Sequence, residues 1–189
     1  AIRRGNYDEA IAKADELTRT PGVPAADAIQ ADLAACEALV ELGQIEHAAE
    51  RLRRCEVSLD PRSSPAAWGE FLRVRGAVHE RLMQPGAAHH DFAQSVNVFD
   101  LVGERYQAAL SQLALGRLAA RTGSRLTADR HLDGAARVFE SLGAVADLEV
   151  VTAARTHLNL LSETNSAAAP PFQDEAAVRR LVDAAVLPA

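Results

Sequence analysis

The sequence predicts an all-α chain built as a stack of helix pairs, and three observations carry that prediction. First, the chain matches itself at a shift of 40 residues. Cys36, Gly76 and Gly116 align, as do Ala48, Ala88 and Ala128, and Leu52, Phe92 and Leu132. Second, the matched positions fall on helical spacing. Ala128, Leu132 and Ala135 stand at i, i+4 and i+7, one face of a helix. Third, alanine is abundant and aromatic residues make up only 4%. Small residues with high helix propensity suit closely spaced helices, whereas a sandwich of strands would carry more β-branched and aromatic residues.

Each element follows from where the chain breaks. Pro21, Gly22 and Pro24 interrupt it first, then Asp60, Pro61, Ser63, Ser64 and Pro65, then Pro85 and Gly86. The predicted helices are 6–18, 25–42, 45–58, 65–83, 86–101, 104–121, 125–142 and 145–161. The last two copies match most closely: Val98, Phe99, Asp100 and Gly103 return as Val138, Phe139, Glu140 and Gly143. Ala128 and Ala135 flank Leu132, so small residues let a neighbouring helix approach while the large one fills the gap; Gly116 does the same on the preceding helix, and Ala128 is expected to lie near it. Gly123 marks a tight turn that needs a permissive backbone.

These residues carry a resemblance. The run from Leu113 to Phe139, with Leu115 and Gly116, then Gly123, then Ala128, Leu132 and Ala135, resembles a tetratricopeptide (TPR) helix pair. The run from Gly5 to Leu17, through Tyr7, Ala10 and Ala14, is similar to the second half of another unit. The resemblance covers about residues 1–161. It departs from the family in a unit of 40 rather than 34, in Cys36 and Ser95 at small-residue positions, and in missing signature prolines. It implies a right-handed superhelical solenoid of antiparallel helix hairpins. Units of about 40 resemble those of bacterial signalling proteins and transcription regulators. The nearly lysine-free cation set, in which Lys13 is the one lysine, suits a GC-rich bacterial source.

Domain organisation follows. Residues 1–162 form the repeat domain. Residues 163–172, which include NSAAAPPF at 165–172, read as a linker by composition. Residues 173–189 hold an amphipathic helix, with Val178, Leu181, Val182 and Ala185 on one stripe, that either caps the stack or opens a following domain. The first unit lacks its first helix, so the apolar side of 6–18 is expected to be incompletely covered. Further chain or a second copy of the protein is expected to cover it.

Charge narrows the function. The net charge is −6 with no basic run, which disfavours direct nucleic-acid binding. No apolar stretch reaches membrane-spanning length, and no leader is evident, so the expected location is cytoplasmic. In the implied superhelix the first helix of each unit lines a concave groove. Ladders of equivalent positions then run Glu37, Ala77, Arg117, His157; Glu41, Arg81, Arg121, Leu161; and Leu33, Arg73, Leu113. The early units are acidic there and the later ones basic. Glu37, Glu41, Arg73, Arg81, Arg117, Arg121 and His157 are therefore the candidate partner-binding residues, set against the plainer reading of a solvated charge pattern. The partner expected is a protein or peptide with an acidic segment. The expected role is an interaction or regulatory module in bacterial signal transduction or transcription regulation. The alternatives are a peptide or small-molecule sensor, or an oligomerisation scaffold acting through the N-terminal half unit.

Enzyme chemistry is not expected, nor is a cofactor. No nucleophile elbow, phosphate loop, dinucleotide loop or zinc signature is present. His89 and His90 are adjacent and so diverge on a helix; with His79 and Glu80 they read as surface rather than metal ligands. Cys36 and Cys55 read as small core residues, with a redox pair as the alternative. Trp68 reads as core packing with Phe71 rather than as a partner's anchor.

Overall fold

The computed structural model describes residues 6–168, with the side chains of 6–159. Among the described residues there are eight helices and no strand. They are α1 (Tyr7–Arg19), α2 (Ala25–Glu41), α3 (Ile45–Ser58), α4 (Pro65–Arg81), α5 (Pro85–Val102), α6 (Arg105–Arg121), α7 (Arg125–Leu142) and α8 (Val145–Ala168). The all-α prediction holds, and the ends of α1 to α7 fall within two residues of expectation. α8 runs on through Ala168, where composition pointed to a linker. The prolines beyond it are too far along to end the helix before the alanines, which have the highest helix propensity. The helix expected at 173–186 lies outside the described residues. The chain falls into two units, Ala1–Arg155 and Thr156–Ala189, with the boundary inside α8.

Within the first unit, consecutive helices from α1 to α7 pack on one another. In addition α2 packs on α4 and α4 on α6, so the even-numbered helices share a continuous layer. One core cluster joins α2, α3 and α4 through Leu33, Leu52 and Phe71; a second joins α5 and α6 through Phe92 and Leu115; a third joins α6, α7 and α8 through Leu113, Phe139 and Val151. Trp68 is half-buried and stacks on Phe71, with ring centroids 5.0 Å apart. In α1 only Ala14 is buried; Ile11 packs against the first cluster and Leu17 stays exposed. The apolar side of α1 is thus partly covered.

The 40-residue register is a register of contacts. A Cβ built on Gly76 would lie 2.7 Å from the ring of Phe92, and one on Gly116 would lie 2.8 Å from Leu132. Each pair is sixteen residues apart, and the pairs are related by the shift. Glycine is required at both because a larger residue would drive the helices apart. At the equivalent place in the first copy, Cys36 Sγ lies 3.7 Å from the Ala48 carbonyl. Three turns repeat as well. The amides of Gln44, Gln84 and Ser124 donate to the carbonyls of Leu39, His79 and Ala119 at 2.9, 2.9 and 2.8 Å. This six-to-one bond closes a helix end when the residue before the donor adopts a left-handed conformation. Gly43 and Gly123 supply it at φ 75° and 80°; in the middle copy the residue is Met83 at φ 59°.

Candidate functional site

The predicted partner-binding residues sit on the even-numbered helices, and the structure brings several of them together. Arg73 on α4 donates to Glu37 on α2, and its other terminal nitrogen is 3.9 Å from Glu70. Gln30 on α2 donates to the same Glu70. On the next step Arg121 of α6 pairs with Glu80 of α4. Glu70, Arg73 and Glu80 stand at helical spacing along α4, so these bridges stitch neighbouring even helices along one stripe. Burial raises the Glu70 carboxyl above its ordinary value; Arg73 opposes that shift, and the nearby Glu37 carboxylate adds to it.

The bridges change what the charge ladder offers. Arg73 and Arg121 hold carboxylates of their own chain. Glu41, Arg81 and Arg117 are exposed and pair with no charged group among the described residues. His157 is exposed on α8 but belongs to the second unit. Sequence reasoning overlooked Glu70, Glu80 and Gln30 as members of this face. The signal that finds them is the shift itself, since Gln30 and Glu70 are forty residues apart.

A second polar cluster lies between α3, α4 and α5. Asp91 on α5 is 2% exposed. Arg75 on α4 donates to it through Nη2 at 2.8 Å and Nε at 3.0 Å, and through Nη1 to Glu56 of α3 at 3.0 Å. The Arg75 guanidinium also sits 5.0 Å from the centroid of the Phe71 ring. His79 donates from Nδ1 to Asp91 at 2.8 Å, so its partner is not Glu80 or the His89–His90 pair. His89 and His90 are exposed, and no group of three or more metal-ligating side chains forms among the described residues. On the opposite side of α3, Arg51 takes Asp32 at 2.6 Å and Asp15 of α1 at 2.8 Å. A cleft of about 240 Å³ opens between α3 and α4 beside the Asp91 cluster, and another of about 280 Å³ between α7 and α8 is lined by charges of both signs, Arg130, Arg137 and Arg155 with Asp133 and Glu140.

Both cysteines are free and buried. Burial pushes the Cys55 thiol up to about 11, with Asp32 adding to the shift, and pushes Cys36 higher still. Neither supplies a thiolate at neutral pH, which fits small core residues rather than a nucleophile. Ser95 is fully buried and donates to the Gly69 carbonyl at 2.7 Å, with Ser111 2.8 Å away. No helix among the described residues is long and apolar enough to cross a membrane. No family model matches the chain, and no curated protein matches its sequence.

Proposed function

We propose that the chain is a TPR-type solenoid of antiparallel helix hairpins that serves as a protein-interaction module of a bacterial signalling or transcription-regulatory protein. In this reading each hairpin is α2–α3, α4–α5 or α6–α7, and the even-numbered helices line the concave face. The observation that carries it is the repeated glycine-to-large-residue contact, Gly76 on Phe92 and Gly116 on Leu132. It is supported by direct packing of α2 on α4 and of α4 on α6. An even layer in mutual contact is what a curved stack places on its inside.

The working surface is the stripe of α4 and α6 around Arg81 and Arg117. An arginine without an internal carboxylate is available to grip one from a partner with paired hydrogen bonds. The partner is an acidic segment, and its hold weakens with salt because exposed charges are screened over about 10 Å at 0.1 M.

The test uses a glutamate-rich octapeptide as probe, titrated against the chain and against the Arg81→Ala, Arg117→Ala double variant. The expected result is a drop in affinity of about tenfold, near 1.4 kcal/mol, with melting unchanged because surface substitutions stay within about 0.5 kcal/mol. Equal affinity in an intact double variant would remove this face as the site.

A further inference from the structure

The α3/α4 cleft combines three features that do not depend on the proposed partner surface. Its volume is about 240 Å³ and its apolar walls include Leu52, Phe71 and Leu82. Its polar border is Glu56, Arg75 and His79, and the charges there are mutually satisfied: Arg75 spends its donors on buried Asp91 and on Glu56. Arg53, also at the border, pairs with Glu50 on its own helix. One group is left over. The Nδ1–H of His79 is committed to Asp91 at 2.8 Å, which selects the tautomer whose Nε2 carries a lone pair. Nε2 has no partner among the described residues, and the ring borders the cleft.

We infer that this cleft binds a single aromatic ring bearing a hydroxyl group, a phenol, with the ring among Leu52, Val78 and Leu82 and the hydroxyl donating to His79 Nε2. An apolar cavity of about 150 Å³ already takes benzene, so the present volume holds one ring with a substituent. Because no charge is left unsatisfied, the cleft selects a neutral molecule. A single fixed acceptor selects a donor on that molecule, since a ligand that covers it without donating displaces its water and leaves it unpaired. Asp91 acts as a positioning residue: it holds the imidazole and does not touch the ligand.

Trp68, the one tryptophan, stacks on Phe71 and reports on the cleft from behind its wall. The experiment titrates p-cresol and toluene into the chain, following Trp68 fluorescence and the amide shifts of Leu52, Phe71 and Leu82. The expected result is saturable p-cresol binding with localised shifts, and toluene binding weaker by about tenfold, the value of one neutral hydrogen bond. In His79→Leu and in His79→Asn, p-cresol falls to the level of toluene, while retained toluene binding shows that the cleft is intact. N-acetyltyrosinamide distinguishes the two sources of a phenol: binding of both probes extends the site to a tyrosine side chain of a partner, and binding of p-cresol alone confines it to free molecules. Non-saturating or scattered shifts, equal affinity for toluene and p-cresol, or unaltered p-cresol binding in both His79 variants would overturn the inference.

Discussion

Met83 stands where its counterparts forty residues away on either side are glycine, and it adopts the same left-handed conformation. For a residue with a Cβ that conformation costs roughly 1–2 kcal/mol. The side chain is 84% exposed, so packing does not offset the strain. Met83→Gly should therefore stabilise the chain by about 1 kcal/mol in a denaturant titration, less what the unfolded chain gains in freedom. A lower midpoint in the variant would mean that Met83 makes a contact worth more than its strain. Glu70 gives a second prediction at this scale. A carboxyl whose folded pKa lies above its unfolded value binds protons more readily when folded. It adds stability below the unfolded value of about 4.5 and loses it as pH rises through the folded value. Ionising Glu70 in the folded chain is thus a cost. Glu70→Gln keeps an acceptor for Gln30 and leaves Arg73 to Glu37, so it should raise the melting temperature at pH 7, and the gain should shrink by pH 4. A gain that is unchanged at pH 4 would contradict the ionisation argument.

At the scale of the elements, the helix map was legible because turn chemistry and periodicity agree. Pro65 and Pro85 open helices, and Gly43, Gly103, Gly123 and Gly143 close them at positive φ. The end of α8 was misplaced, expected at 161 and found at Ala168, because alanines and prolines adjoin there and the two pull a composition argument in opposite directions. The glycines inside helices divide by their surroundings, and substitution should separate them. Gly76→Ala and Gly116→Ala place a methyl within 3 Å of Phe92 and Leu132. Overpacking should cost roughly 1–3 kcal/mol, more at Gly76 because a phenyl ring cannot bend away. Gly86, in the first turn of α5, has nothing within 4 Å of its Cβ direction. Gly86→Ala should be neutral or stabilising by up to about 1 kcal/mol, the difference in helix propensity. Equal effects at the three positions, read from urea midpoints, would remove close approach as the reason for the buried glycines.

Over the whole molecule, the shift of 40 placed the candidate residues on the right helices but not with the right partners. Glu37 and Arg73 were placed on separate ladders of one charge gradient, and they are a pair. Arg121 was set beside Glu41 and Arg81 by alignment, yet its partner is Glu80. A register tells which positions are equivalent; which long side chain reaches which carboxylate depends on rotamers and helix separation, and a sequence carries neither. The Arg75–Asp91–His79 cluster was missed for a related reason. Its members read as a surface histidine and ordinary charges until the packing of α4 on α5 buries Asp91 and brings them together. The central claim is that a single helix-pair contact is made twice in the same register. Nuclear Overhauser spectroscopy on the isotope-labelled chain tests it directly. Strong cross-peaks are expected from the Gly76 α-protons to the Phe92 ring and from the Gly116 α-protons to the Leu132 methyls. Absence of either cross-peak in a folded, fully assigned chain would contradict it.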